Sequence, residues 1–80
     1  MKSIYDRLTE IMIDIFDDDD IVATENLTAD KVSGWDSLAH VRLMIQVERA
    51  FAVKFTASEI NSFKSVGDLA RSIAAKTGRS

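Results

Sequence analysis

Apolar residues return every three or four positions over the first part of the chain, which is the spacing of one face of a helix. Ser3 precedes this run and Asp6 follows three positions later, a pattern typical of a helix N-cap. The pattern predicts a first helix over residues 4 to 16. Its apolar face consists of Ile4, Leu8, Ile11, Met12, Ile15 and Phe16. Such a face requires a partner surface, so we expect the helix to belong to a bundle.

Two further helices are indicated towards the end of the chain. The stretch Thr56-Ala57-Ser58-Glu59 has the capping-box pattern and predicts a short third helix that ends near Ser62. Ser65 with Asp68 opens a fourth helix, and Gly78 is suited to stop it. The apolar face of the fourth helix comprises Val66, Leu69, Ala70, Ile73 and Ala74.

The richest run of apolar residues predicts a second helix over residues 37 to 51. A helical wheel separates its apolar side chains into two stripes. The first stripe, which we assign to the core, is Leu43, Val47, Ala50 and Phe51. The second is Leu38, Val41 and Ile45, with Met44 between the two stripes. Two interpretations stay open: the helix is buried on more than one side, or the second stripe is exposed and contacts other proteins.

A long connection, from Asp17 to Asp36, separates the first two helices. Loops of this length are uncommon in compact domains and tend to be functional or irregularly packed. We expect four apolar residues to attach it to the core: Ile21, Val22, Leu27 and Val32. Because no stretch has a convincing strand pattern, the expected fold is all-α. It is a single domain over residues 1 to 80, a four-helix bundle with a long first loop and a short third helix.

Composition limits the class of protein. A chain of 80 residues, 46% of them hydrophobic, can form one domain with a modest core. The chain contains no cysteine, so it forms no disulfide. No apolar stretch has the character of a signal peptide or approaches the roughly 20 residues of a membrane span. We therefore expect a cytoplasmic protein without a membrane span.

Charge is unevenly divided along the chain. The first thirty residues hold nine acids and two bases, and the rest hold four acids and eight bases, for a net charge of −3. The densest acidic run is Asp17 to Asp20. An EF-hand calcium loop needs glycine at its sixth position and glutamate at its twelfth, where this chain has Val22 and Thr28. We expect a solvated turn that ends the first helix, and no metal site.

The motif Gly34-Trp35-Asp36-Ser37-Leu38 brings a serine to the start of the second helix. Asp36 is a suitable N-cap, because its carboxylate can accept a hydrogen bond from the first turn. Ser37 then occupies the first helical position, where its hydroxyl faces solvent near the positive end of the helix dipole. A phosphate attached there would be favoured. The motif indicates that Ser37 is a modified residue.

A catalytic role for Ser37 is much less well supported. A serine nucleophile needs a base and a group that orients the base, and this chain has one histidine. That residue, His40, is expected to point towards the core side of the second helix and to have a packing or pocket-lining role. Trp35 is expected to cover the loop.

From Gly34 onward the chain resembles the acyl carrier protein family, whose hallmark is Asp-Ser-Leu at the start of the second helix. The hallmark stands here as Asp36-Ser37-Leu38. The surrounding pattern is also similar: Val41, Leu43, Val47, Glu48, Phe51, Val53-Lys54-Phe55, Ile60 and Ser65-Val66-Gly67-Asp68-Leu69. The resemblance covers residues 34 to 73. It implies that Ser37 carries 4'-phosphopantetheine, whose thiol holds an acyl or aminoacyl group as a thioester, and that Asp36 helps to present the serine and its metal-bound donor.

The resemblance also implies partners: a phosphopantetheinyl transferase, an acyl- or aminoacyl-loading ligase and downstream acyl-transfer enzymes. The expected recognition surface is Leu38, Val41, Arg42, Ile45 and Arg49. Carriers of fatty acid synthesis have an acidic second helix that basic enzyme patches recognise, whereas Ala39, Arg42 and Arg49 stand here where acids are usual. Like-charge repulsion would weaken such recognition. We expect a monomeric, non-catalytic carrier of a specialised pathway that handles secondary metabolites, aminoacyl groups or modified lipids.

Other classes of function are less well supported by the residues. A protein-interaction module without a prosthetic group would use the same exposed stripe, and an unmodified Ser37 would favour it. A nucleic-acid binder is disfavoured by the negative net charge and by the lack of a basic cluster with interleaved aromatic residues. An enzyme is disfavoured because no nucleophile with its base, metal-ligand spacing or Gly-rich phosphate loop is found.

Overall fold

The computed structural model describes residues 3 to 78, which form four α-helices joined by loops. The helices are α1 (Ile4–Phe16), α2 (Ser37–Phe51), α3 (Ala57–Ser62) and α4 (Val66–Thr77). A single-turn 3-10 helix, Ala29–Lys31, lies in the first loop and was not predicted from the sequence. Residues 3 to 78 contain no β-strand, and the all-α four-helix fold is confirmed.

The helix boundaries follow from residues at the helix ends. Ser3 Oγ accepts a hydrogen bond from the Asp6 amide at 3.1 Å. The sequences that begin at Thr56 and Ser65 form complete capping boxes, in which the cap side chain and the third helical residue satisfy each other's backbone N–H groups. Gly78, with φ of 72°, closes α4 in the left-handed conformation. Each predicted start and stop is confirmed.

The core lies where α1 packs against α2 and α4. Its largest fully buried side chains are Leu8, Met12, Leu43, Met44, Val47, Val66, Leu69 and Ile73. Leu43, Val47 and Phe51 confirm the core stripe of α2, and Ala50 packs against it. Met44, placed by the helical wheel between the two stripes, is only 1% exposed. An unbranched thioether side chain can bend into such an off-centre position in the core.

Three of the four residues predicted to attach the first loop to the core do so, and one does not. Ile21 and Val32 are buried and Leu27 packs against the core, as expected, but Val22 is 63% exposed. Ala23 takes the place expected for Val22 and is buried. Its amide donates a hydrogen bond to Thr9 Oγ1 at 2.9 Å, which brings a small side chain against α1 and turns Val22 outward.

The first loop is also attached to the N-terminus of α4. The first N–H groups of a helix have no partner within the helix. Here the Val66 amide donates to the Leu27 carbonyl at 2.8 Å, and the Gly67 amide donates to the Glu25 carbonyl at 3.1 Å. Backbone therefore meets backbone at Gly67, and this contact requires a residue without a side chain.

No helix within residues 3 to 78 is long and apolar enough to cross a bilayer.

Candidate functional site

The candidate site lies at the N-terminus of α2. Asp36 has an extended backbone conformation, and its carboxylate accepts a hydrogen bond from the Ala39 amide at 2.9 Å. Ser37 is the first helical residue and is exposed. Within residues 3 to 78 its hydroxyl makes no hydrogen bond. The predicted cap and the predicted position of the serine are both confirmed.

The turn before the serine depends on a glycine in the left-handed region. Gly34 has φ of 86°, and a Cβ there would have no atom within 4 Å. The Trp35 amide donates to the Val32 carbonyl at 3.3 Å, and the Asp36 amide donates to the Gly34 carbonyl at 3.0 Å. The turn therefore leaves open space around Gly34 and directs the chain into the Asp36 cap.

Trp35 and His40 pack together behind this turn. The Trp35 ring lies 5.7 Å from the ring of Phe16 and is stacked on His40 at 6.1 Å between centroids. The indole N–H donates to His40 Nδ1 at 3.2 Å, and His40 Nε2 lies 3.0 Å from the Ile60 carbonyl oxygen. Both ring nitrogens are occupied, so His40 does not act as a base for Ser37. The predicted packing role is confirmed, whereas its hydrogen bonds were missed.

The second stripe of α2 is exposed. Leu38 is 65% exposed, Val41 49% and Ile45 43%. These side chains lie along the helix from the serine, on the side away from the core residues Leu43 and Val47. The second stripe is therefore exposed, as one of the two interpretations required, and its contact with other proteins stays a prediction. We call Leu38, Val41 and Ile45 the apolar stripe.

Unpaired basic side chains flank the apolar stripe. Arg42 and Arg49 are exposed, and Lys54 lines the same shallow depression as Ile45 and Arg49. Within residues 3 to 78, none of these three bases forms an ion pair. The one acid of α2, Glu48, accepts a hydrogen bond from the Phe55 amide at 2.8 Å.

The exposed hydroxyl at the start of α2 is open to covalent modification. A free, exposed hydroxyl at the first position of a helix is accessible to a modifying enzyme, and the helix dipole favours an attached phosphate. No group of three or more metal-ligating side chains occurs in residues 3 to 78. The acidic run from Asp17 to Asp20 is exposed, and Asp18 Oδ1 accepts from the Asp20 amide within it.

Comparison with known proteins assigns the class. A family model described as "Phosphopantetheine attachment site" matches residues 6 to 73. The chain belongs to this family of phosphopantetheine-dependent carrier proteins, whose members carry their cargo and do not transform it. Its prosthetic group is 4'-phosphopantetheine.

A solved structure narrows the class to acyl carrier proteins. The solution NMR structure of a holo acyl carrier protein from Geobacter metallireducens is 39% identical and superposes with a TM-score of 0.86. The match covers 92% of this chain and 85% of that one. A search of curated proteins found no significant match. The resemblance drawn from residues 34 to 73 is therefore confirmed, and it extends to α1.

Proposed function

We propose that Ser37 is the residue that carries 4'-phosphopantetheine in this acyl carrier protein. The observation that supports the assignment is the free, exposed Ser37 hydroxyl at the first position of α2, directly after the Asp36 cap. When attached, the group supplies a terminal thiol that holds an acyl or aminoacyl cargo as a thioester. The flexible arm raises the effective concentration of that cargo at a docked enzyme.

The chain contributes position and leaves the chemistry to its partners. Asp36 fixes the start of α2 by accepting the Ala39 N–H, so Ser37 projects from a defined helical position. His40 is engaged with Trp35 and Ile60 and offers the serine no base. An external phosphopantetheinyl transferase must therefore activate the hydroxyl and supply the donor.

We further propose that partner enzymes dock on the apolar stripe and on the adjacent Arg42 and Arg49. The stripe is exposed beside Ser37, and neither arginine forms an ion pair within residues 3 to 78. Partners with acidic residues around an apolar centre complement this surface, whereas basic patches are repelled. This charge pattern favours dedicated enzymes over those of fatty acid synthesis.

The partners are a phosphopantetheinyl transferase, an acyl- or aminoacyl-loading ligase and downstream acyl-transfer enzymes. The carrier acts in the cytoplasm as a monomer, in a specialised pathway that handles secondary metabolites, aminoacyl groups or modified lipids. The reversed charge of α2, with Arg42 and Arg49 against Glu48, supports the assignment to a specialised pathway.

Intact mass spectrometry tests the assignment of Ser37. The protein is incubated with coenzyme A and a broad-specificity phosphopantetheinyl transferase, together with the variants Ser37→Ala and Ser33→Ala. Ser33 is an exposed serine of the same loop and is the matched control. We expect the wild-type protein and Ser33→Ala to gain one phosphopantetheine and Ser37→Ala to gain none while remaining folded. A full gain by Ser37→Ala would refute the assignment.

A further inference from the structure

We infer that His40 is a positioning residue for the modification of Ser37. It holds Trp35, and through Trp35 the turn that precedes the serine, in the conformation presented to the transferase. The inference rests on the proposed function, since it concerns the reaction at Ser37. It starts from the two hydrogen bonds of the imidazole, which neither packing nor capping of α2 requires.

The contacts of His40 determine which ring nitrogen carries the proton. An indole N–H can only donate, so His40 Nδ1, 3.2 Å from Trp35 Nε1, must accept. The proton then resides on Nε2, which donates to the Ile60 carbonyl at 3.0 Å. The imidazole therefore joins two groups that lie on different elements. One is a tryptophan of the serine turn, and the other is a backbone carbonyl of α3.

The Ile60 carbonyl needs this donor. It lies in the last turn of α3, where carbonyls lack partners within the helix. The Lys64 amide, which would meet it if the helix continued, donates instead to Asp68 Oδ2 at 2.9 Å. A six-residue helix has little stability of its own. His40 thus attaches the end of α3 to α2.

Two neighbouring rings and one hydrogen bond hold Trp35. The Phe16 ring of α1 lies 5.7 Å away between centroids, and the His40 ring, which accepts the indole N–H, lies 6.1 Å away with an interplanar angle of 23°. On the chain it stands between Gly34 and the Asp36 cap, two residues before Ser37. Glycine gives the backbone wide conformational freedom, so the anchored indole limits the movement of the turn.

Without the two hydrogen bonds of His40, the turn would sample other conformations. A docking transferase would then have to restore the conformation seen in the structure. The free energy needed to fix the backbone of one residue corresponds to about a tenfold change in affinity. We therefore expect the KM for the carrier to rise about tenfold while kcat changes little, because the serine hydroxyl itself is unchanged. A purely structural role would lower the melting temperature and leave KM unaltered at temperatures where the variant is folded.

The test compares His40→Phe with His40→Gln in the transferase assay, using coenzyme A as donor. Phenylalanine keeps a ring against Trp35 but makes neither hydrogen bond, whereas glutamine keeps one acceptor and one donor. We expect the KM to rise with phenylalanine and to return towards the wild-type value with glutamine. Circular dichroism confirms that each variant is folded at the assay temperature.

Trp35 provides two independent readouts. It is the single tryptophan of the chain, so its emission reports directly on the indole environment. We expect the emission to shift to longer wavelength in His40→Phe, because the indole N–H turns to water, and to shift less in His40→Gln.

Trp35→Phe removes the same hydrogen bond from the other side. The double variant with His40→Phe should therefore raise the KM no further than the larger single effect.

Three outcomes would overturn the inference. One is a wild-type KM in folded His40→Phe, and another is a double variant in which the two single effects multiply. The third is an unchanged KM in Trp35→Phe. This variant keeps the hydrogen bond from His40 to α3, so it tests the inference even if His40→Phe fails to fold. Full modification of Ser37→Ala would instead refute the proposed function, because the group would then be attached at another residue.

Discussion

Gly67 shows how one residue can determine whether the first loop closes on α4. A Cβ at this position would lie 2.7 Å from the Glu25 carbonyl oxygen and 2.7 Å from Glu25 Cγ. The side-chain atom can move away, but the carbonyl is held by its hydrogen bond from the Gly67 amide. The contact that satisfies the N-terminus of α4 is therefore the one that excludes any larger residue.

Gly67→Ala is expected to destabilise the protein. Helix propensity alone would favour alanine by about 1 kcal/mol, but overpacking against a fixed carbonyl costs about 1 to 3 kcal/mol, so the clash should win. Chemical denaturation measures the difference in the free energy of unfolding. Gly78→Ala is the control, because it adds the same methyl group where no atom lies within 4 Å and reports only the positive φ. An unchanged free energy of unfolding in Gly67→Ala would contradict this prediction, because it would mean that the first loop can move away from residue 67 without destabilising the protein.

Helices α3 and α4 both begin with a capping box whose carboxylate has a lowered pKa. The pKa of Asp68 lies below its ordinary value. The largest cause is the hydrogen bond that its carboxylate accepts from the Lys64 N–H, and the next is the hydrogen bond from the Arg71 guanidinium. The Thr56 N–H, followed by the Lys76 ammonium, does the same to the pKa of Glu59. Both carboxylates stabilise the fold in their charged form. Their contribution is complete above the pKa of the unfolded chain and is lost as the pH falls through the lower folded value.

Asp68→Asn tests this pH dependence. The variant should melt below the wild-type protein near pH 6. The gap should begin to narrow below about pH 4, where the unfolded chain takes up the proton, and should close as the pH falls through the lower pKa of folded Asp68. Ser65→Ala removes the other half of the same box at a cost of about 1 kcal/mol that does not depend on protonation. A gap for Asp68→Asn that stayed constant from pH 6 to pH 3, like that of Ser65→Ala, would contradict the assignment.

The helices could be predicted from the sequence because their determinants are local. Ser3, Thr56 and Ser65 each meet a partner three residues away, so the chain itself carries the boundary. The apolar stripe could be identified, but its exposure could not, because exposure depends on where the other helices pack. The carrier class could be predicted from Asp36-Ser37-Leu38, a motif whose position at the start of α2 is equally local, and the comparisons with known proteins confirmed it.

What the sequence could not provide depends on residues far apart in the chain. Ala23 replaces Val22 in the core because of a hydrogen bond to Thr9, fourteen positions earlier. His40 finds its partner in the Ile60 carbonyl, which is a backbone atom and leaves no signal in the residue type. Met44 is buried because its flexible side chain reaches the core from the edge of its stripe.

Across the whole molecule, the charges are arranged so that α2 differs from the acidic first part of the chain. The net charge is −3, yet α2 carries Arg42 and Arg49 against one acid, Glu48. The Glu25–Arg71 pair, 3.3 Å apart, links the two parts of the chain, but both side chains are more than half exposed. Such a pair adds little to stability. This pair therefore gives the charge pattern little role in folding, and recognition by partners is the role that we propose for it.

Reversing the arginines should change which enzymes accept the carrier. Arg42→Glu with Arg49→Glu is expected to weaken dedicated partners and to improve modification by a transferase of fatty acid synthesis. The gain should be about tenfold in kcat/KM at low salt and smaller at high salt, where surface charges are screened. The control is Arg7→Glu with Lys64→Glu, which makes the same change of charge at residues outside α2 and, within residues 3 to 78, removes only the exposed Arg7–Glu10 ion pair. An unchanged preference would show that Arg42 and Arg49 are merely solvated.

The apolar stripe also has a consequence for the behaviour of many copies in one solution. Its three side chains are 43% to 65% exposed. Exposed apolar side chains associate with other apolar surfaces, including the same stripe on another copy. The acids of α1 and the first loop give every copy a like charge, and like charge opposes self-association. The proposed docking surface and the acids that keep copies apart thus lie in different stretches of the chain. A substitution that removed acids far from Ser37 would therefore affect solubility before it affected recognition.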